Sequence, residues 1–272
     1  MPAIVLVSDP NDARIAAYRE IKERDLVGRE GLFVAEGRVV LEKLVRRGLH
    51  PVRSVLVAEA RLAALESVVA PLGPQVPVYV APQGVLDAIA GFPMHRGILA
   101  IGEYRPVEVE ALLGQLASTS LVVGLSAIAN HDNMGGIFRN AAAFGAEAVL
   151  IDSDCCDPLY RKAIRVSVGA ALTLPFARLG RGQDMAQMLA AAGFDVVALS
   201  PRGETELCDL QAGPRVAALF GAEGPGLAPE ILARTRSVRI DMVDGFDSLN
   251  VATTSGLVLY QLSNRRSAER GA

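Results

Sequence analysis

The sequence predicts an α/β protein, in which short buried strands alternate with helices. Apolar runs bounded by turn residues recur along the chain, and the stretches between them carry the helical spacing of apolar residues. The clearest example is an apolar run at Leu121–Ile128, followed by a polar, glycine-bearing turn, a helix and a second strand at Ala148–Ile151. This strand–helix–strand order is typical of parallel sheets, whose ligands bind just beyond the strand ends.

Length and composition indicate a globular protein of two domains. The chain has 272 residues, of which 51% are hydrophobic, 21% charged and 5% aromatic. It is therefore poor in the aromatic side chains on which single-stranded nucleic acids stack. No apolar run approaches the roughly 20 residues that span a bilayer, and the N-terminus lacks the basic start of a signal peptide. We expect a soluble, cytoplasmic protein without membrane association.

The cysteines and the overall charge indicate no metal site and no general affinity for nucleic acid. Cys155, Cys156 and Cys208 do not have the number or spacing of a disulfide framework or a metal site, so we expect buried or half-buried thiols. The net charge is −3. Between Arg14 and Arg53, however, ten basic residues stand against six acidic ones, a local excess of four positive charges. A solvated helical face and an RNA-facing patch explain this excess equally well.

The first hundred residues predict a compact α/β domain. An opening turn and helix cap precede helical spacing through Ile15, Tyr18 and Ile21, which Gly28 and Gly31 interrupt. Strands are expected at 32–35, 52–57, 76–80 and 97–101, and helices at 39–44, 58–69 and 81–90.

The rest of the chain predicts a second α/β domain. Rising polarity and Pro106 mark a linker at 103–114, between a first domain at 1–102 and a second at 115–272. Strands or apolar runs are expected at 120–127, 148–151, 172–177, 196–199, 216–220 and 238–242, and helices at 158–166, 185–192 and 248–267.

A glycine-rich loop follows the apolar run at 216–220. Gly221 and Gly226 have the spacing of a phosphate-binding P-loop, but Leu227 and Ala228 replace the lysine and hydroxyl residue that hold the phosphates and magnesium. The spacing also fails the dinucleotide fingerprint. Two alternatives stay open: a helix-entry turn in which glycines supply positive φ, or a loop that exposes backbone groups to a flat ligand with Glu223 at its mouth.

Polar side chains cluster at two predicted helix starts. Asn133 and Arg139 lie six residues apart just after the polar turn, a pattern that favours a site over packing. Ser248 and Asn250 precede the last helix, where capping is a sufficient reason for either residue.

Three motifs occur in the second half in a fixed order. They are Asn133-x-Gly135-x-x-x-Arg139 continuing through 142–145, the run from Phe220 to Leu227, and Ile240-x-Met242 followed by 248–252, with a shorter matching segment at 165–170. In this order they resemble the SpoU branch, or TrmH family, of the SPOUT RNA methyltransferases, over roughly 120–262. The first hundred residues, with Phe33-x-x-Glu36-Gly37 and Arg96-Gly97, also resemble the RNA substrate-binding domain that often precedes it.

The resemblance implies a SPOUT domain, a parallel sheet flanked by helices whose C-terminal part is tied into a deep trefoil knot. A small α/β domain similar to certain ribosomal proteins precedes it, and a homodimer forms through the methyltransferase domain. The implied cofactor is S-adenosyl-L-methionine, held mainly by main-chain groups among the knot loops. By motif, the cofactor-binding residues are Leu199, Gly221, Glu223, Ile240, Met242 and Leu249, and the catalytic residues are Arg139, Asn133, Glu223, Ser248 and Asn250.

The implied chemistry is methyl transfer to a ribose 2′-hydroxyl, which must be deprotonated or oriented first. An arginine guanidinium keeps its proton in essentially any protein site, so Arg139 is a poor general base. We expect it to clamp an RNA phosphate, with Asn133, Ser248 and Asn250 orienting it and the ribose, and Glu223 holding Arg139 or the glycine loop. His131 departs from the family pattern and is expected to be a loop residue that contacts substrate.

The predicted function is therefore S-adenosylmethionine-dependent 2′-O-methylation of RNA. Ribosomal RNA is the preferred substrate because an RNA-docking domain suits a large structured target, and transfer RNA is the alternative. A third possibility is an RNA-binding protein that keeps the fold without the chemistry. A nucleotide-dependent enzyme built on the glycine loop is excluded by the missing lysine.

Overall fold

A computed structural model describes residues 2–19, 30–47, 49–91 and 94–270. The predicted helical position Ile21 and the breaking glycine Gly28 lie outside these ranges. The chain forms two compact units, Met1–Arg105 with Asp157–Thr173, and Pro106–Cys156 with Leu174–Ala272. This division differs from the predicted one in two respects. The segment at 157–173, expected in the second domain, belongs to the first unit, and most of the predicted linker belongs to the second.

The elements alternate as the sequence predicts. The strands are β1 Ile4–Leu6, β2 Leu32–Glu36, β3 Val52–Ala58, β4 Val78–Ala81, β5 Ile98–Glu103, β6 Ser120–Leu125, β7 Ala148–Ile151, β8 Phe176–Arg178, β9 Asp195–Leu199, β10 Thr205–Glu206, β11 Arg215–Phe220 and β12 Arg236–Arg239. The α-helices are α1 Arg38–Arg47, α2 Leu62–Val69, α3 Gln83–Ala90, α4 Val109–Gly114, α5 His131–Ala143, α6 Arg161–Val166, α7 Met185–Ala191, α8 Pro229–Leu232 and α9 Val251–Arg270. Short 3-10 helices occur at Ala13–Tyr18, Glu59–Arg61 and Ala170–Leu172.

Four predicted segments differ from the structure by more than a shift of a few residues at their ends. The N-terminal helix is the 3-10 helix at 13–18, and the run predicted at 172–177 contains a turn before β8. The run predicted at 238–242 leaves the sheet after Arg239, so Ile240 and Met242 lie in a loop. The predicted linker contains α4, whose residues Val109, Leu112 and Leu113 are buried in the core of the second unit. The polar segment at 103–106 thus marks a connection between the units that is shorter than the predicted linker at 103–114.

The first unit is built on a five-stranded mixed sheet in the order β1-β4-β3-β5-β2. β1, β4 and β3 are parallel, and β5 runs antiparallel to both β3 and β2. One core of this unit packs Leu32, Val34, Leu56, Leu86 and Leu99 together with the 3-10 helix residues Ile15 and Tyr18.

The second unit is built on a seven-stranded parallel sheet in the order β10-β12-β9-β11-β6-β7-β8. All residues of β6 and β7 are buried, as expected for parallel strands covered on both faces, which read as continuous apolar runs. The register places Leu125 opposite Phe220, and Leu199 opposite Val238. The central strands therefore end near one edge, where their following loops meet.

The three cysteines are free thiols in different surroundings. Cys155 is buried, Cys156 is half-buried and Cys208 is exposed, so the expectation of buried or half-buried thiols is wrong for Cys208. Burial raises the pKa of the Cys155 thiol to about 12, which leaves it protonated and unreactive near neutral pH. In the described part of the chain, no helix has both the length and the apolar character needed to cross a membrane.

Candidate active site

The loops at the carboxyl edge of the second unit surround a cavity of about 390 Å³. This volume lies in the range of small-molecule sites, roughly 300–1,000 Å³. The lining includes every residue predicted to bind the cofactor: Leu199, Gly221, Glu223, Ile240, Met242 and Leu249. The predicted residues Ser248 and Asn250 also line it. The cavity thus brings together residues from three separate motifs, and the binding of a cofactor there stays a prediction.

The glycine loop after β11 forms one wall of this cavity. Its two ends approach so closely that a Cβ atom on Gly221 would overlap the backbone of Gly226 and Leu227. The Gly226 amide donates to the Ala222 carbonyl at 3.0 Å, and Gly224 and Gly226 have positive φ. The loop is a tight turn that leads to α8, as the first alternative predicts, and it also lines the cavity. The second alternative, contact of its backbone groups with a flat ligand, stays a prediction.

A hydrogen-bonded cluster joins the three motifs at the rim of the cavity. The Asn133 side-chain amide donates to the Glu223 carboxylate. Asn250 Nδ2 donates to Asn133 Oδ1 at 2.9 Å and lies 3.4 Å from Glu223 Oε1. Residues far apart in the sequence therefore form one unit in which each amide orients the next.

Two asparagine-capped helices hold this cluster. Asn130 Oδ1 accepts from the Asp132 and Asn133 amides at the start of α5, and Asn250 Oδ1 accepts from Ala252 and Thr253 at the start of α9. Asn250 thus has both roles, since its side-chain oxygen caps α9 while its side-chain nitrogen contacts Asn133.

Asn140, which no motif marked, fastens α5 to α9. Asn140 Nδ2 donates to the Ala252 carbonyl at 2.7 Å and to Ser255 Oγ at 3.0 Å. Asn140 follows Asn133 by seven residues, two helical turns, so both asparagines lie on one face of α5. That spacing was visible in the sequence. The face also contains Gly136, where a Cβ atom would lie 2.8 Å from Ala252 Cβ, so glycine there permits close packing of the two helices.

Arg139 lies outside this cluster. Its side chain is exposed on α5, does not line the cavity, and makes no hydrogen bond or ion pair with any residue that the structure describes. Glu223 is expected from the sequence to hold Arg139 or the glycine loop. The first alternative is not met, because the Glu223 carboxylate contacts Asn133 and Asn250. An arginine six residues after Asn133 is turned about a third of a circle away from it around the helix.

The other predicted positions are placed as follows. Ser248 is exposed at the cavity wall and lies ahead of the first residue of α9. His131 is the half-buried first residue of α5 and not a loop residue. Its predicted contact with substrate stays a prediction.

Asp152, which no motif marked, fixes the turn that leads into α5. Its carboxylate accepts from Ser126 Oγ at 2.7 Å and from the Ala127 amide at 3.0 Å. Ala127 has a φ of 53°, a left-handed conformation that is costly for a residue other than glycine. The Asp152 contacts compensate for that strain and so position Asn130, the cap of α5.

The fold and the cavity define a class of protein: a parallel α/β domain with a cavity of small-molecule size at the carboxyl ends of its strands. Residues 120–260 match the model of the SpoU rRNA methylase family. A protein of Mycobacterium bovis, described as an uncharacterised tRNA/rRNA methyltransferase, is 36% identical over 264 residues, which cover 94% of this chain and 90% of that protein. The chain therefore belongs to the SpoU rRNA methylase family.

Solved structures share the fold over nearly the whole chain. An AdoMet-bound rRNA methyltransferase from Sinorhizobium meliloti has a TM-score of 0.82 at 21% identity, covering 96% of this chain and 98% of that one. The SpoU methyltransferase AviRb from Streptomyces viridochromogenes, in complex with AdoMet, has a TM-score of 0.81 at 23% identity, covering 94% of this chain and all of that one. At these identities the likeness establishes the fold.

Proposed function

We propose that this protein transfers a methyl group from S-adenosyl-L-methionine to a ribose 2′-hydroxyl in RNA. The observation that carries the proposal is the Asn133–Glu223–Asn250 cluster at the rim of a cavity of cofactor size. Membership of an RNA methylase family supports the reaction class.

The cavity suits S-adenosylmethionine in size and chemistry. Its apolar walls, formed by Leu199, Val238, Ile240 and Leu249, offer a surface for a flat adenine ring. The turns at 221–226 bring backbone N–H and C=O groups to the cavity wall, and such groups fix orientation in small-molecule sites. The bound cofactor would supply an electrophilic methyl group.

The protein's own groups would position the nucleophile. In the proposal Arg139 contacts a phosphate next to the target ribose through both arms of its guanidinium, which fixes the ribose and makes its hydroxyl more acidic. The hydroxyl proton passes to that phosphate or to a transiently neutral guanidine as the oxygen accepts the methyl group. Asn133 and Asn250 hold the cavity rim in one geometry, and Ser248 contacts the ribose. Glu223 ties the glycine loop to both asparagines, so its role is to position the loop.

Ribosomal RNA is the proposed substrate, with transfer RNA as the alternative. The two-unit architecture supports a large structured target, because the first unit can provide contacts away from the reacting ribose. The trefoil knot, the homodimer and the cytoplasmic location implied by the resemblance or the composition are parts of the same proposal.

Calorimetry with S-adenosylmethionine tests the proposal at its first step. We expect saturable binding that Gly221→Val abolishes, because the added side chain would overlap the loop's own backbone. Gly193→Ala, at a positive-φ position with open space around it, controls for glycine loss in the same unit. No heat of binding up to about millimolar cofactor, where even weak ligands of millimolar Kd bind, would favour a non-catalytic RNA-binding protein.

Mapping 2′-O-methyl groups tests the reaction and identifies the substrate. RNA from cells with and without the protein should differ at one or a few riboses, and the alkaline-resistant linkage there marks ribose methylation. A site in ribosomal RNA supports the preferred substrate, whereas a site in transfer RNA replaces it. Methylation confined to bases would contradict the proposed chemistry.

A further inference from the structure

The first unit contains a second cavity that the proposed chemistry does not use. It has a volume of about 510 Å³ and lies between the turn after β2, the start of α2 and the turn before β5. Its lining includes four arginines: Arg38, Arg61, Arg96 and Arg165. We call it the arginine cleft.

The arginine cleft carries uncompensated positive charge. All four arginines are exposed, and within the described ranges none of them makes a hydrogen bond or an ion pair. Glu36 is the only carboxylate among the described lining residues. It is buried and accepts from Arg161 Nε and Nη2 at 3.0 and 2.8 Å, so its charge is already neutralised by an arginine outside the lining.

Two of these arginine side chains pack directly against the backbone of a glycine. Gly37 has a φ of 93°, and a Cβ atom there would lie 3.2 Å from Arg96 Cδ. Gly97 has a φ of 59°, and a Cβ atom there would lie 3.5 Å from Arg61 Cγ. The two side chains therefore run across bare backbone, which orders their stems. No residue in the described ranges accepts a hydrogen bond from their guanidinium groups.

The segment at 157–173 completes the cleft. Gly169, in the turn after α6, packs against Val40 of α1, since a Cβ atom there would lie 3.5 Å from Val40 Cα. This contact brings Arg165, near the end of α6, to the cleft beside Arg38 at the start of α1. The backbone amides that begin α1 are on the same side and add a partial positive charge.

We propose that the arginine cleft binds phosphates of the RNA backbone and docks the substrate away from the reacting ribose. A guanidinium matches the geometry of a phosphate with two parallel hydrogen bonds, and four unpaired guanidinium groups in one concave surface suit a chain of phosphodiesters. The shortage of aromatic residues in this chain agrees with recognition through phosphates rather than through stacked bases. The inference rests on the proposed function for the identity of the ligand as RNA.

The test compares two charge-matched double variants. Arg38→Ser with Arg96→Ser removes two charges from the cleft, and Arg47→Ser with Arg53→Ser removes two charges from exposed positions of the same unit that do not line it. The probe is a fluorescently labelled RNA hairpin with a stem of about 16 base pairs, long enough for two successive minor grooves. Affinity is measured by anisotropy at several salt concentrations.

We expect the cleft variant to bind the hairpin about ten-fold or more weakly than wild type at low salt, with the slope of log K against log salt smaller by about one to two. The control variant should lose about two-fold at most. Equal losses in the two variants would overturn the cleft as a site and leave only general charge attraction. Absence of RNA binding by wild type would overturn it as well.

A second measurement separates this inference from the proposed function. In methyl-transfer assays on ribosomal RNA, the cleft variant should raise the KM for RNA and leave kcat and cofactor affinity unchanged. A wild-type protein that binds RNA through the cleft but transfers no methyl group would contradict the proposed function alone. An active enzyme whose KM for RNA is the same in the cleft variant would contradict the cleft alone. Thermal melting confirms that both variants fold.

Discussion

Arg139 is the residue on which the proposed chemistry depends most directly. It is exposed, and no described residue pairs with it, so its guanidinium is available to a phosphate. Arg139→Lys should lower kcat by about ten-fold or more, since lysine cannot form two parallel bonds, while calorimetry shows unchanged cofactor binding. Arg139→Ala should lower it further. A lysine variant with nearly full turnover would contradict the bidentate contact.

Asn133 is expected to act on the cavity rather than on the phosphate. Asn133→Asp would place a carboxylate against Glu223 in place of an amide donor, and like charges at hydrogen-bond distance repel. We expect about ten-fold weaker cofactor binding by calorimetry, since the loss of this part-buried bond and the unpaired groups it leaves cost roughly 1–3 kcal/mol. Asn140→Asp on the same helix face is the control. It should lower the melting temperature through its lost bond to Ala252 but leave cofactor affinity nearly unchanged.

His50 is expected to make the stability of the first unit dependent on pH. It is buried between the rings of Phe33 and Tyr104, and no residue that the structure describes makes a hydrogen bond with its Nδ1. Burial lowers the pKa of His50 from 6.5 to about 4. The folded state therefore favours the neutral imidazole. The contribution of His50 to the free energy of unfolding is fully present above pH 6.5.

As the pH falls from 6.5 to 4, the unfolded chain binds a proton that the folded chain does not. The free energy of unfolding should decrease over this window by at most about 3 kcal/mol. His50→Leu should remove that part of the pH dependence, measured as the difference between the denaturation profiles of variant and wild type. Parallel profiles would contradict the assignment.

At the scale of elements, the contact of α5 with α9 sets the geometry of the site. A Cβ atom on Gly136 would lie 2.8 Å from Ala252 Cβ, so Gly136→Ala should push the helices apart and cost about 1–3 kcal/mol in chemical denaturation. Ala252→Gly in the same chain should recover much of the loss. Gly84→Ala in α3, where the added methyl meets open space, should instead stabilise by about 0.5–1 kcal/mol. A Gly136 variant as stable as wild type would show that the helices can adjust.

Some features of the fold and of the candidate site could be predicted from the sequence, and others could not. The apolar runs predicted β6, β7, β9 and β11 well because buried parallel strands carry a strong local pattern. The motifs predicted which residues meet, since Asn133, Glu223 and Asn250 lie together. The orientation of Arg139 depends on how α5 is rotated about its axis relative to the loops. Tertiary packing sets this rotation, so no local sequence pattern predicts it. The course of 157–173 was missed for a similar reason, because Gly169 and the Glu36–Arg161 pair act through tertiary contacts.

At the scale of the whole molecule, exposed apolar side chains are concentrated near the C-terminus. Of the ten exposed large apolar residues in the described part of the chain, five lie from Val243 to Tyr260. On α9, Val258, Leu259 and Leu262 are buried, whereas Leu257 and Tyr260 are 46% and 55% exposed. Exposed apolar patches of this kind mark interaction surfaces. The predicted homodimer would cover this one.

We therefore expect light scattering to find two copies of the 28.7-kDa chain. Leu257→Glu should shift the protein towards monomer at micromolar concentration, because it places a charge in an interface that must exclude water. Val39→Glu is the matched control, since Val39 is 53% exposed on α1 in the first unit and should leave the mass unchanged. Neither substitution touches a residue that lines the cofactor cavity, so cofactor binding by the monomeric variant would separate subunit pairing from formation of the site. A wild-type chain that is monomeric at all concentrations would contradict the dimer and require another partner for the α9 surface.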